Sequence, residues 1–252
     1  GTAIEQTFLV QPIQPGQAQA YLVAHLGLAE GSLLWDGLDE RMRELAGTPL
    51  LLGLIRRAWE HARQHNPDGD LRMPDNRGEL YGSFVAWMLR QDNERGLGRS
   101  VPEARRLAAL EKLALALHEE QSLVIERDQA LPIVGDEVTL LALLANGLLV
   151  GEGELRFAPH QTMQEHFAAR GLQDDVTKKV RVSGIVKALR RAGIGRGVLE
   201  HAADDWWAET FIQLAGLSAD PDALGLALAE INPWLAWWCV QEGREVSEKT
   251  VA

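Results

Sequence analysis

His160 stands two residues ahead of Thr162, and Thr162 is followed three residues later by Glu165, the spacing of a capping box. That pattern predicts Thr162 as the N-cap of a helix running from about Met163. A helix N-terminus presents unpaired backbone N–H groups and the positive end of a dipole, a natural seat for phosphate. His160 would add a side-chain donor to the same anion. Glu165 is accounted for by capping, and Gln164 is read as helix support. His160 and His166 are six apart, whereas two ligands on one helical face need spacings of three or four. No nucleophile triad is visible, so the sequence assigns neither a catalytic residue nor a metal ligand.

The elements that must position His160 are mostly helical. Thr7 to Val10 reads as a short strand ended by Pro12 and Pro15. Helices are predicted from Gln17 to Leu26 and from about Leu38 to Leu45. A third is capped by Thr48, with Pro49 at the first helical position, where its missing N–H costs nothing. His65 to Asp75 is a loop. Asn76 with Glu79, and Ser100 with Glu103, are two more capping-box patterns, and Gly96 to Gly98 ends the helix after Asn76. Asp128 is placed at a short turn or helix, and Asp136 opens a helix that stops at Asn146-Gly147. Two short strands follow, 148–150 and 155–157, joined by Gly151-Glu152-Gly153. Helices followed by a two-stranded hairpin describe a winged-helix domain. Beyond it, short helices are predicted over 205–214, 221–231 and 233 to about 241. They carry Trp206, Trp207, Trp234, Trp237 and Trp238, read as core between antiparallel helices that resemble the start of an α-solenoid.

Composition sets the class. The chain of 252 residues is 46% hydrophobic and 24% charged, as soluble globular proteins are. No run approaches a membrane span. Cys239 is the single cysteine, which excludes an intrachain disulfide and fits a reducing, cytoplasmic compartment. A net charge of −11 argues against nucleic acid as a partner. The local exception is the basic stretch from Lys178 to Arg196, with Lys179, Arg181, Lys187, Arg190 and Arg191, read as a solvated face pairing with the acidic remainder. Gly193 to Gly197 is glycine-rich, but it lacks the Lys and Ser/Thr of a phosphate loop, and no such loop occurs in the sequence.

Phe157-x-x-His160-x-x-x-Gln164-Glu165-x-Phe167-Ala168-Ala169 resembles the winged-helix signature of NACHT-type STAND NTPases, signalling ATPases related to animal inflammasome sensors and common in bacterial conflict systems. Leu45-x-x-Thr48-Pro49-Leu50-Leu51-Leu52 is similar to the proline motif of that family's helical domain. Pro12 to Tyr21, Glu79-Leu80-Tyr81 and Asn146-Gly147-Leu148-Leu149 also fall where the family has them, so the resemblance spans Thr7 to Leu172. His166 departs from it, since the family has an aromatic residue there more often, and is read as a surface or edge difference.

The resemblance implies a mainly α chain. Residues 1–14 would be the tail of a nucleotide-binding core, 15–98 a helical domain, 99–172 a winged-helix domain with a small β-hairpin wing, and 173–252 a helical repeat-like region. It implies that His160 contacts the β-phosphate of ADP and that Pro49 makes an apolar contact to adenine. The phosphate loop and the Mg²⁺-binding strand would lie upstream, so the chain by itself is no enzyme and binds ADP or ATP weakly or not at all, while the parent protein is an ATPase. The partners implied are the upstream nucleotide-binding core, C-terminal sensor repeats and, in the active state, further copies in a homo-oligomer with an innate-immune or antiviral role. Two other readings are a winged-helix DNA-binding regulator and a helical scaffold or inhibitory module without a nucleotide role. Against DNA stands the predicted recognition helix around Asp136 to Ala145, which has no Arg or Lys.

Overall fold

The computed structural model describes residues 11–66, 73–94, 100–179, 201–218 and 221–242. It is mainly helical, with twelve α-helices and one small antiparallel sheet among the described residues. The predicted strand at 7–10, the glycine turn at 96–98, most of the 65–75 loop and the basic stretch beyond Lys179 lie outside the described residues. No described helix is long and apolar enough to cross a membrane. The chain divides into two compact units, Gly1–Met73 and Pro74–Ala252, a division that falls inside the stretch 15–98.

In the first unit Pro15 opens α1 (Pro15–Leu26), and Gly27, at φ 87°, ends it. Helix α2 (Leu28–Gly37) follows at once and folds back on α1. Gly31 permits the close approach, because a Cβ there would lie 2.6 Å from the Val23 Cα. Helix α2 was not anticipated, since Gly31, Ser32 and Gly37 give it poor intrinsic propensity. Packing of Leu34 and Trp35 into the core overrides that weakness. Helix α3 (Glu40–Leu45) therefore starts later than the predicted Leu38. Its cap is Asp39, which accepts from the Met42 N–H at 2.8 Å. Helix α4 (Pro49–His65) begins at Pro49, as expected, with Thr48 in the N-cap position but making no side-chain cap bond, and buries Leu51, Leu52, Ile55 and Trp59.

The second unit opens with α5 (Arg77–Glu94), capped by Asn76, whose Oδ1 accepts from the Glu79 N–H at 2.9 Å. Next comes α6 (Glu103–Glu119). Its N-cap is Pro102 with no side-chain cap bond, so the expected box between Ser100 and Glu103 does not form. Strand β1 (Ile125–Glu126), α7 (Arg127–Val134), α8 (Glu137–Ala145), β2 (Leu149–Val150) and β3 (Glu154–Phe157) follow. The order helix, strand, helix, helix, strand, strand is that of a winged helix. The sheet runs β1-β3-β2, with Ile125 opposite Leu155 and Leu149 opposite Phe157. Two residues in β1 carry no alternation, so the sequence showed only the hairpin. Asp136 caps α8 through the Thr139 N–H at 2.8 Å, and Gly147, at φ 75°, takes the left-handed turn after it. Leu110, Leu113, Leu140, Leu143, Leu149 and Leu155 close the core beneath the sheet.

Helix α9 (Gln161–Lys179) leaves the wing and packs on α6 and on α10 (Ala208–Leu217). Two 3₁₀ turns, His201–Ala203 and Asp205–Trp207, precede α10, and α11 (Pro221–Ala229) and α12 (Pro233–Glu242) complete the antiparallel set. Both last helices start at proline as predicted, and Asn232 caps α12 by accepting from the Leu235 N–H at 3.0 Å. Trp207 joins a core with Leu172, Phe211, Leu228, Leu235 and Cys239. Trp234, Trp237 and Trp238 do not: they are 79%, 50% and 51% exposed, so the expectation of core holds for Trp207 and fails for these three. Only the inward positions of α12, Leu235, Ala236 and Cys239, meet that core.

Candidate functional site

The first turn of α9 differs from the sequence reading in a way that bears on His160. The helix begins at Gln161 rather than Met163, because His160 itself supplies the cap. Its Nδ1 accepts from the Thr162 N–H at 3.3 Å, and its carbonyl accepts from the Met163 N–H at 3.0 Å. Thr162, expected to cap, is turned to other work. Its hydroxyl accepts from the Tyr81 hydroxyl at 2.6 Å, and its carbonyl accepts from Gln213 Nε2 at 3.2 Å. Two first-turn N–H groups are thereby occupied, and the anion seat expected from the backbone is correspondingly reduced.

What remains is the imidazole. Its Nδ1 also lies 3.3 Å from the Thr162 hydroxyl, and in the tautomer in which Nδ1 accepts from these groups the neutral ring carries its proton on Nε2. The ring is exposed, and Nε2 has no hydrogen-bond partner among the described residues. His160 is therefore oriented by its own helix and left with one free donor. Behind it, Phe157 at the end of β3 and Phe167, nearly two turns into α9, are both buried, with ring centroids 5.6 Å apart. The Ala158 N–H donates to the Leu148 carbonyl at 3.0 Å, fixing the strand-to-helix connection to the wing. The motif's aromatic residues thus anchor the turn that carries His160.

Pro49 lies in the first unit, exposed at the first turn of α4. The turn before it is pinned by the Ile13 N–H, which donates to the Gly47 carbonyl at 2.8 Å. His160 and Pro49 belong to different units, and each is placed by its own unit alone.

The remaining motif residues point inward. Gln164 is buried and donates to the Ser122 carbonyl at 2.9 Å. His166, expected at a surface or edge, is fully buried, and its Nδ1 meets Gln213 Oε1 at 3.1 Å. Burial, with Arg170 nearby, pushes its pKa down to about 3, so it is a neutral core histidine. Glu165 is not a capping residue. It is 5% exposed and accepts from Gln161 Nε2 at 2.8 Å, and burial together with Glu209 pushes its pKa up to about 7.

Sequence reasoning missed the polar cluster around Glu165. Arg77 at the start of α5 pairs with Glu209 of α10 at 2.6 Å and lies 3.5 Å from Glu242 of α12. The Arg77 backbone N–H also donates to Glu242 at 3.1 Å. Gln213 links this group to the first turn of α9, donating both to Glu209 at 3.3 Å and to the Thr162 carbonyl. Nothing in the sequence announces it, since its members come from four helices. Among the described residues no group of three or more His, Cys, Asp or Glu is placed to hold a metal ion.

On helix α8, Val138 and Leu141 are half exposed, and Glu137 is paired with Arg127. Helix α8 itself carries no Arg or Lys, and the two cations at its N-terminal end, Arg105 and Arg127, are paired with Asp136 and Glu137 rather than left for a phosphate backbone.

Fold and site together define a mainly α protein with a winged helix whose α9 presents one oriented histidine. Models of known protein families give no match to the chain, and neither do curated proteins.

Proposed function

We propose that this chain is the regulatory region of a NACHT-type STAND NTPase, a nucleotide-state switch. In this reading the winged helix closes over ADP bound to an upstream nucleotide-binding core, with His160 donating to the β-phosphate and Pro49 touching adenine. Exchange for ATP releases the winged helix and permits homo-oligomerisation, as a signalling or defence protein requires.

The observation that carries the reading is His160: exposed, held by its own helix through Nδ1, and left with a free Nε2 donor. A hydrogen bond to a charged acceptor is worth about 1.5–3 kcal/mol. That biases a two-state equilibrium roughly tenfold to a hundredfold, enough for a ligand to act as a switch. The order of elements from α6 to α9 supports it as well, because the motif histidine falls between wing and helix, as the resemblance requires. The DNA-binding alternative is disfavoured by α8, which has no Arg or Lys of its own and whose neighbouring Arg105 and Arg127 are paired with carboxylates, and by the net charge of −11.

The test is nucleotide content and thermal stability of the protein comprising this chain and its proposed upstream core, wild type against His160→Ala. Co-purified ADP that is lost in the variant, with a lower melting temperature, supports the switch. Equal ADP and equal melting leave a helical scaffold.

A further inference from the structure

Three carboxylates, Glu165, Glu209 and Glu242, gather with one guanidinium where α5, α9, α10 and α12 meet. Arg77 is spent on two of them. The third, Glu165, is left with a neutral donor, Gln161, on one oxygen. Its other oxygen, Oε2, is buried with no hydrogen-bond partner among the described residues. A charged carboxylate in that position costs far more than a neutral acid, because its unpaired oxygen has lost water and gained nothing in exchange. The charge of Arg77 and the bond from Gln161 relieve it only in part, and burial with Glu209 outweighs them. From α5 come Arg77, already paired, and Tyr81, whose hydroxyl is committed to Thr162. From α10 come Glu209, which repels it, and Gln213, which is used by Thr162, Glu209 and His166. From α12 comes Glu242, a third negative charge. Helix α6 turns Glu111 to Arg170 of α9, and its His118 meets Thr210 of α10. His166, on α9 itself, is neutral and bonded to Gln213.

We propose that Glu165 is a proton-operated latch between α9 and α10: it takes up a proton when α10 packs on α9, and its ionisation loosens the pair. The first turn of α9 is tied to α10 through Gln213, so the latch acts on the turn that carries His160. The proposal rests on the cluster alone and not on the nucleotide reading.

The sign follows from linkage. A carboxyl group whose pKa is raised by packing binds its proton more tightly in the packed state. Its contribution is fully present below the ordinary carboxyl range and is lost as pH rises through about 7. The experiment is hydrogen exchange of the α9 and α10 amides in the 252-residue chain, corrected for intrinsic rates, in wild type and Glu165→Gln. With the pKa at about 7 when packed and 4.5 when released, wild-type protection falls roughly 25-fold between about pH 5.5 and about pH 8. Glu165→Gln, an uncharged mimic of the acid, removes most of that fall. A fall of the same size in the variant, or none in the wild type, overturns the latch. Should the variant not fold, the carboxyl carbon resonance of Glu165 in the wild type decides. Titration near pH 7 supports the latch, and titration in the ordinary range, near 4.3, overturns it.

Discussion

Replacing Arg77 with methionine tests whether the polar cluster holds the second unit together. The substitution keeps most of the side-chain volume and removes the charge. Glu209, 2.6 Å from the guanidinium, and Glu242, 3.5 Å from it, then lie close together with no cation between them. A pair of charges about 4 Å apart interacts by roughly 4 kcal/mol at an effective dielectric constant of 20. Breaking a buried pair by removing one partner costs about 3–5 kcal/mol. The side chains of Arg77 and Glu209 are 24% and 22% exposed, which brings the expected loss to the low end, about 3 kcal/mol. The loss depends on pH in a defined direction. Without Arg77 the Glu209 carboxyl, already raised by burial, rises further in pKa, so the folded state takes up a proton that the unfolded state does not. Destabilisation is therefore largest above neutrality and shrinks on acidification towards about pH 5. Urea unfolding followed by far-ultraviolet circular dichroism at both pH values measures it. A loss below about 1 kcal/mol at neutral pH, the range of surface ion pairs, refutes the reasoning.

Two further perturbations probe the packing, one within each unit. Gly31→Ala puts a Cβ 2.6 Å from the backbone of Val23, so α1 and α2 must separate, and we expect about 1–3 kcal/mol of destabilisation in place of the usual gain from alanine in a helix. A higher unfolding midpoint would contradict that contact. Phe167→Ala empties a fully buried site against Phe157 and costs about 3–5 kcal/mol, read as a lower urea midpoint with an unchanged slope.

Elements announced by local chemistry were legible in the sequence. Pro49, Pro221 and Pro233 start helices because a missing N–H costs nothing in the first turn, and Asn76, Asp136 and Asn232 cap through the bonds their types suit. Elements made by tertiary packing were not. Helix α2 forms over Gly31 because α1 lies close by, and β1 exists because β3 offers Leu155 and Glu154 as partners. The capping box at Thr162 and Glu165 misled for the same reason. Both residues are claimed from a distance, Thr162 by Tyr81 and Gln213, and Glu165 by burial near Glu209. The cap then falls to His160, a residue type that propensity does not favour there. His166 was misplaced because the side chain it bonds to, Gln213, is 47 residues away. The position of His160 between wing and helix was readable, while the free Nε2, on which the proposed phosphate contact depends, came only with the geometry.

That contact is tested most directly by comparing ADP with AMP, which lacks the β-phosphate, as ligands of the protein comprising this chain and its proposed upstream core. Calorimetric titration of wild type and His160→Ala gives four affinities. A donor to the β-phosphate predicts that the variant binds ADP roughly tenfold to a hundredfold more weakly and binds AMP unchanged. Equal losses for both nucleotides, or no loss for either, would contradict the role of His160 as the phosphate contact of a nucleotide switch.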